Sequence, residues 1–155
     1  MQCLLIAVGR ARGGPEAALF DAYAGRLRGG WSLTLREVEE RRPLPGPDRM
    51  TREGRLLLDQ VPDGAHVVAL DGGGRRWSSE DLAEHMTRQR DAGTRAVAFL
   101  VGGADGHAPD VLARADVTLS LGAMTWPHML VRPMLAEQLY RAWSIQAGHP
   151  YHRGG

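Results

Sequence analysis

AVAFLVGGADG, residues 96–106, joins a run of apolar residues directly to a glycine-rich segment. The run AVAFLV (96–101) contains no polar residue, which is typical of a strand buried on both faces of a parallel sheet. The segment GGADG is typical of the tight turn in which such a strand ends. Because a sheet that is buried on both faces needs helices on both sides, this stretch predicts an α/β fold.

The same arrangement recurs on either side of this stretch. Strands are predicted at CLLIAV (3–8), WSLTLREV (31–38), HVVAL (66–70) and VTLSL (117–121). Helices are predicted between them at residues 15–28, from Thr51 onward, at 78–93 and at 109–115, and EERRPLPGPD (39–48) is predicted to be a loop and a mobile lid. The alternation predicts one domain, residues 1–155, with a parallel sheet and helices on both of its faces.

Composition and the distribution of apolar residues limit the classes of protein to which the chain can belong. The chain has 155 residues, 43% hydrophobic and 24% charged, with a net charge of +1 and arginine as its only strongly basic residue. No apolar run reaches the roughly 18 residues of a membrane span, and the N-terminus lacks the pattern of a secretory signal, so we expect a cytoplasmic protein without membrane contact. Cys3 is expected to be a buried, inert thiol.

Three strand ends are rich in glycine or other small residues. They are LDGGG (70–74), LVGGADG (100–106) and LSLGAMTWPH (119–128). In open parallel sheets ligands bind beyond the carboxyl ends of the strands, and glycine lets main-chain groups approach a ligand closely. These segments together are the candidate site.

Several common sites are excluded by spacing. GGADG lacks the G-x-G-x-x-G spacing of a dinucleotide fingerprint, and a chain without lysine cannot form a phosphate-binding G-x-x-x-x-G-K-[ST] loop. The histidines include no H-E-x-x-H pair, and we expect no metal.

The last third of the chain is its most distinctive part. It passes from a strand through LGAMTWPH into a predicted helix on which Leu130, Met134, Tyr140 and Trp143 can face either the core or a second copy of the chain. The chain then closes with HPYHR, residues 149–153.

The sequence resembles the bacterial methyltransferases of the RlmH type, a family of the SPOUT class. The resemblance covers the full length and is strongest in LVGGADG, TWPH, LVRPMLAEQLYRAWSI and HPYHR. It implies a SPOUT-type α/β fold with a C-terminal trefoil knot, two chains paired across the knot as a homodimer, and S-adenosyl-L-methionine as cofactor. The implied reaction is methylation of N3 of a pseudouridine in 23S ribosomal RNA within assembled ribosomes.

The resemblance also implies which residues bind the cofactor and the target base. The cofactor would contact the three strand ends through Leu70, Gly102, Gly103, Leu121, Gly122, Ala123, Met124, Thr125 and Trp126. The tail would reach the cleft of the partner chain and place Tyr151, His152 and Arg153 beside the base, where an aromatic ring can stack and a cation can hold a phosphate.

The chemistry of the reaction adds further candidates. An imide nitrogen must lose a proton before it attacks, so positioned cations would stabilise the resulting anion, and Arg132, Arg141 and Arg153 are the candidates. His152 and His128 are candidate general bases, and Asp105 is a weaker one. Orientation alone could also lower the barrier, so a dedicated base is not required.

The sequence departs from the family pattern after TWPH. Met129 stands where family members commonly have proline, and Pro133 lies inside the expected helix. Since proline fits only the first turn of a helix, the helix is expected to start later or to kink. Two other functions stay open from the residues alone: a non-catalytic RNA-binding or ribosome-assembly factor, and a nucleotide-dependent oxidoreductase.

Overall fold

The computed structural model describes residues 1–154 and contains one five-stranded sheet. The strands are β1 (Gln2–Val8), β2 (Ser32–Val38), β3 (His66–Arg76), β4 (Ala96–Val101) and β5 (Val117–Ser120). They are hydrogen-bonded in the order β2-β1-β4-β3-β5, and every neighbouring pair is parallel. The predicted α/β class with a parallel sheet is confirmed.

Five α-helices connect and follow the strands. They are α1 (Pro15–Ala24), α2 (Gly46–Asp59), α3 (Ser79–Asp91), α4 (Pro109–Arg114) and α5 (His128–Ala147), and a single 3-10 turn (Pro150–Arg153) follows α5. A capping box begins α3, since Ser78 Oγ accepts from the Asp81 amide at 3.0 Å and Asp81 Oδ2 accepts from the Ser78 amide at 2.8 Å.

The helices cover both faces of the sheet, as expected. Alternate residues of the central strand β4 enter two separate cores: Phe99 packs on the side of α1, α3 and α5, and Leu100 packs on the side of α2 and α4. Both side chains are fully buried. Because each face of the sheet is covered, ligands can approach only from the ends of the strands.

Two predicted boundaries on the first half of the chain are wrong. Helix α2 begins at Gly46, not at Thr51, so residues 46–48 of the predicted loop are helical. Pro47 is tolerated there because it lies in the first turn, whose amides need no partner within the helix. Helix α1 ends at Ala24, earlier than the predicted residue 28.

Strand β3 continues beyond the predicted end at Leu70. The segment DGGG, expected to follow the strand, belongs to it, and the pairing with β5 shifts in register between Leu70 and Arg75. A side chain at Gly74 would place its Cβ 2.7 Å from the Leu119 amide nitrogen. Glycine therefore allows the two strands to pair closely after the shift.

Helix α5 starts at His128, so the expectation of a later start is wrong. Pro133 lies inside the helix, where it cannot donate to the carbonyl one turn earlier. Pro127 precedes the helix, and its carbonyl accepts from the amides of Leu130 and Val131 at 2.9 and 3.1 Å. These bonds define the first turn despite the proline that follows.

Two expectations from the sequence concern the cysteine and the possibility of a membrane span. Cys3 is buried in β1, and burial raises the pKa of its thiol to about 12, as expected of an inert cysteine. Within residues 1–154, none of the helices combines the length and apolar character that crossing a membrane requires.

Candidate active site

A cleft of about 330 Å³ lies at the carboxyl ends of β4 and β5, beside Leu70, Asp71 and Gly72 of β3. It is lined by every residue that the family resemblance implies for the cofactor, namely Leu70, Gly102, Gly103, Leu121, Gly122, Ala123, Met124, Thr125 and Trp126. His128, a candidate base, lines the same cleft. The sheet order explains this convergence, because β3 lies between β4 and β5, and Leu70 of β3 pairs with Val101 at the end of β4.

The glycine turn after β4 leaves no room for side chains. A Cβ at Gly102 would lie 3.1 Å from the Gly106 carbonyl and 3.2 Å from His107 Nδ1. The turn is closed by a hydrogen bond from the Gly106 amide to the Gly103 carbonyl at 3.1 Å. The wall of the cleft at this point is bare main chain, which a ligand can approach closely.

Glu53 of α2 lies directly behind this wall, and sequence reasoning did not identify it. Its side chain reaches Gly103, where a Cβ would lie 2.8 Å from Glu53 Oε2. The residue is 7% exposed, and its Oε1 is buried without a hydrogen-bond partner within residues 1–154. Burial raises the pKa of this carboxyl group above its ordinary value.

His107 also lines the cleft and was also missed. The ring is buried, and Nε2 lies 3.2 Å from the Leu100 carbonyl, which can only accept, so Nε2 carries the proton. Burial lowers the pKa of His107, although the backbone carbonyls and the charge of Asp71 oppose this effect. The neutral ring thus packs between the ends of β4 and β3.

The loop from Leu121 to Trp126 presents apolar side chains to the cleft. Ser120 Oγ bonds to both the carbonyl and the amide of Gly122, at 3.1 and 3.2 Å, and so fixes the start of the loop. Met124 is 76% exposed and Trp126 is 39% exposed. Large apolar side chains with so much exposed surface can cover a bound ligand.

Arg132 lies near the cleft but is not available to a substrate. Its guanidinium is 3% exposed and bonds to Glu37 Oε2 at 2.6 Å and to the carbonyls of Val8 and Gly9 at 3.2 and 2.8 Å. The hypothesis that Arg132 stabilises a substrate anion is therefore wrong. The residue instead holds the start of α5 against the ends of β1 and β2.

The C-terminal tail lies on α5 and does not line the cleft of its own chain. Tyr151 OH donates to Glu137 Oε1 at 2.9 Å, and Arg141 Nε donates to the same oxygen at 3.0 Å. Burial, together with the bonds to Tyr23 and Glu137, raises the pKa of Tyr151. The structure thus brings His128 to the cleft but places Tyr151, His152, Arg153 and Arg141 elsewhere on the same chain.

An apolar groove of about 600 Å³ runs beside the cleft between α1, α3 and α5. Leu119, Leu121 and Gly122 line both the groove and the cleft, so the two are continuous. At its other end the groove is lined by Tyr23 and Glu137, which hold Tyr151. Leu19, 46% exposed, is among its apolar residues.

Comparison with protein families matches residues 1–152 to the family described as "Predicted SPOUT methyltransferase". This chain belongs to the SPOUT methyltransferase family. Three similar proteins are each named "Ribosomal RNA large subunit methyltransferase H" and align over 153 residues, 99% of both chains. They come from Rhodospirillum rubrum, Paramagnetospirillum magneticum and Rhodospirillum centenum and are 60%, 56% and 54% identical to this chain.

Membership of the SPOUT methyltransferase family confirms the resemblance and makes this chain a methyltransferase. It also implies the C-terminal trefoil knot. The two other functions that the residues left open, an oxidoreductase and a non-catalytic RNA-binding factor, are not what the family and its relatives indicate. Among residues 1–154, no group of three or more histidine, cysteine, aspartate or glutamate side chains could hold a metal ion.

Proposed function

We propose that the protein transfers a methyl group from S-adenosyl-L-methionine to N3 of a pseudouridine in 23S ribosomal RNA, on assembled ribosomes in the cytoplasm. The names of its relatives support ribosomal RNA of the large subunit as substrate. The observation that carries the proposal is the cleft at the ends of β4 and β5, whose walls are glycine main chain and an apolar loop. One domain, residues 1–155, would carry out the reaction.

The cleft fits the proposed cofactor in shape. Gly102 and Gly103 expose main chain where any side chain would collide with Gly106 or Glu53. Leu70 and the loop of Leu121 to Trp126 would enclose the adenosine part in an apolar slot, as small-molecule sites generally do.

The cleft also fits the cofactor in charge. No arginine among residues 1–154 lines it, although arginine is abundant in the chain, and Asp71 is a carboxylate on its wall. A carboxylate on the wall of the cleft favours a cation. The cofactor when bound supplies an electrophilic methyl group on a positively charged sulfonium.

The remaining groups that the reaction needs would come from the tail of a second chain. A base must accept the N3 proton and a cation must stabilise the anion that remains, and His152 and Arg153 have this chemistry. Tyr151 would support the tail through Glu137, and Arg141 stabilises the same carboxylate. Since none of these residues lines the cleft of its own chain, the site is incomplete in a single copy.

A homodimer would complete the site. The apolar groove between α1, α3 and α5 is continuous with the cleft and ends where Tyr151 is attached. A second copy that covers this groove with the same surface would form a two-fold interface, and each tail would then lie near the cleft of its partner. The groove thus supports the homodimer and the site in one arrangement.

The experiment has two stages. Calorimetry is expected to show one S-adenosyl-L-methionine bound per chain. Transfer of a labelled methyl group is then measured with free 23S ribosomal RNA, separate subunits and whole ribosomes, and the modified nucleoside is identified by mass spectrometry. We expect N3-methylpseudouridine and the highest rate with whole ribosomes. Cofactor binding without transfer to any of these substrates would contradict the proposal.

A further inference from the structure

The buried hydroxyl of Ser144 is the centre of the hydrogen bonds that hold the tail. Ser144 lies in the last turns of α5 and is 0% exposed. Its Oγ lies 2.8 Å from the His149 carbonyl oxygen, 3.2 Å from the His152 amide nitrogen and 3.1 Å from His152 Nδ1. Three polar groups of the tail thus converge on one hydroxyl.

The chemistry of these groups assigns the direction of each bond. A hydroxyl has one proton and can accept two hydrogen bonds. The His149 carbonyl can only accept, so at 2.8 Å it must receive the Ser144 proton. The His152 amide can only donate, so it donates to Ser144 Oγ. The hydroxyl then has one remaining lone pair and no proton for His152 Nδ1.

Nδ1 of His152 must therefore be the donor. If it were unprotonated, its lone pair would face the lone pair of Ser144 Oγ at 3.1 Å, and both groups would lack a partner. In the neutral ring only one nitrogen carries a proton. With the proton on Nδ1, Nε2 is the unprotonated nitrogen.

Nε2 of His152 is also free to react. It makes no hydrogen bond within residues 1–154 and is not enclosed by the protein. The main chain that leads to His152 is fixed, since the His149 amide donates to the Ser144 carbonyl at 2.9 Å and Gly148 ends α5 in the left-handed conformation. The basic nitrogen is thereby presented in one direction.

We propose that Ser144 is a positioning residue which holds His152 in its Nδ1-protonated tautomer, so that Nε2 acts as the general base on the target imide. This inference rests on the proposed function. The proton on N3 passes to Nε2, the N3 electron pair forms the new bond to the methyl carbon, and the electron pair of the broken carbon–sulfur bond stays on sulfur. The imidazolium returns its proton to solvent.

The tautomer can be measured without any activity. Proton–nitrogen correlation spectra of the ¹⁵N-labelled full chain at pH 8 distinguish protonated from unprotonated ring nitrogens, and the spectrum of His152→Gln identifies the signals of His152. We expect a protonated Nδ1 and an unprotonated Nε2. In Ser144→Ala the ring loses its acceptor, and we expect the proton to move largely to Nε2, the tautomer that free histidine prefers.

Kinetics then test the consequence of the tautomer for the reaction. Single-turnover methyl transfer to ribosomes is expected to fall about 10-fold or more in Ser144→Ala, part of the 10² to 10⁴ that a general base contributes. Cofactor affinity is expected to stay unchanged. The conservative variant Ser144→Thr keeps the hydroxyl and should restore both the tautomer and the rate. Melting curves show whether each variant is folded.

The outcomes separate this inference from the proposed function. A wild-type His152 with its proton on Nε2 overturns the inference, even if ribosomes are methylated. A slow Ser144→Ala whose tautomer is unchanged overturns it as well, because the serine would then act only on folding of the tail. If Ser144→Ala does not fold, the inference is tested by the tautomer of His152 in the wild-type spectrum and by the tautomer and rate of Ser144→Thr. Absence of transfer by the wild type, with the expected tautomer, contradicts the proposed function alone.

Discussion

At Gly103 the wall of the cleft lies directly against the buried carboxyl group of Glu53. Glu53 fills the space in which a side chain would lie, with its Oε2 2.8 Å and its Oε1 3.0 Å from the position of a Cβ. Such a distance is too short for a carbon–oxygen contact, so any larger residue must push either Glu53 or the wall of the cleft aside. The shape of the cleft thus depends on a contact outside it.

Gly103→Ala is therefore expected to weaken S-adenosyl-L-methionine binding. Overpacking costs about 1–3 kcal/mol of stability. The part of this cost that displaces the wall of the cleft, and not Glu53, appears in calorimetry as a loss of affinity of up to roughly 10- to 100-fold. Gly46→Ala is the matched control, because its Cβ would lie 3.6 Å from Asp105 Oδ1, an ordinary contact. Glu53→Ala should restore affinity to Gly103→Ala. Equal losses in the control and in Gly103→Ala would contradict the role of Glu53.

The two polar residues at the end of the tail give a second prediction at this scale. His152→Ala or Arg153→Ala is expected to abolish methyl transfer and to leave cofactor affinity nearly unchanged, because neither residue lines the cleft of its own chain. Arg88→Ala is the control, since within residues 1–154 Arg88 forms an ion pair only with exposed Glu84 on α3. Transfer assays and calorimetry on the same preparations test both halves. Full activity of a chain truncated after Gly148 would contradict any role of the tail.

The segments that line the cleft could be predicted from the sequence, but the buried residues behind its walls could not. The glycines and small residues at three strand ends are visible as a pattern, because parallel strands must end at one edge. Glu53 and His107 are not, because their burial depends on how α2 and the turn after β4 pack. The wrong role for Arg132 has the same origin: only the structure shows its guanidinium bonded to Glu37.

Among the elements, α5 is joined to the sheet by a partly buried ion pair. Arg132 bonds to Glu37 Oε2, which also accepts from the Ala11 amide at 2.6 Å. Burial raises the pKa of Glu37, but the bonds from Ala11 and Arg132 outweigh it, and the pKa is lowered overall. The pair thus ties the start of α5 to the ends of β1 and β2.

Arg132→Met is expected to destabilise the protein by about 3–5 kcal/mol, because it leaves a partly buried carboxylate without its partner. Arg88→Met, which breaks an exposed pair, should cost about 0–1 kcal/mol. Urea unfolding at pH 7.5 measures both free energies. Adding Glu37→Gln to Arg132→Met should recover part of the loss. A cost below about 1 kcal/mol for Arg132→Met would show that the pair does not hold α5 in place.

A pair of histidines between β3 and α3 makes stability depend on pH. His66 Nε2 and His85 Nε2 lie 2.9 Å apart, and Trp77 lies against His85 with ring centroids 4.7 Å apart. Burial, with the nearby charges of His66, Arg88 and Arg75, lowers the pKa of His85 to about 4. Burial also lowers the pKa of His66, although Asp116 opposes it.

Because the folded state binds fewer protons here than the unfolded chain, this stability is complete above about pH 6.5 and is lost as pH falls toward 4. The loss can reach about 1.4 kcal/mol per pH unit for each proton. Urea unfolding of the wild type and of His85→Gln between pH 8 and 4.5 isolates the pair from His107, which titrates in the same direction. Identical pH dependence in both proteins would exclude this pair as the cause.

The boundaries of elements were harder to predict than their types. Proline and charge at residues 39–48 indicate a loop, yet Pro47 also suits the first turn of a helix, and packing decided in favour of helix from Gly46. The glycines after Leu70 indicate a turn, but β3 continues through them, and Arg75 and Arg76 pair with β5 after a register shift. In both cases the same residues satisfy two local structures, and contacts distant in sequence select one.

On the scale of the whole molecule, the proposed site has two parts, the cleft and the tail, which do not meet within one chain. The cleft lies at the strand ends, whereas the tail is anchored on α5 by Ser144 and Glu137. The apolar groove between them would be covered by a second copy. Two-fold symmetry would then bring the tail of each chain to the cleft of its partner. This arrangement can be tested by pairing two chains that carry different inactivating substitutions.

Heterodimers of two defective chains provide the test. One chain carries His152→Ala, so its tail is defective and its cleft is intact. The other carries Gly103→Val, which fills the space in front of Glu53, so its cleft is defective and its tail is intact. Coexpression with two affinity tags isolates the mixed dimer. If the tail acts on the partner, one of the two sites has both parts intact, and about half of the wild-type activity returns. If it acts on its own chain, neither site works. In the reciprocal control, a chain with both substitutions is paired with a wild-type chain. This dimer is expected to be inactive if the tail acts on the partner, and to keep about half of the wild-type activity if the tail acts on its own chain.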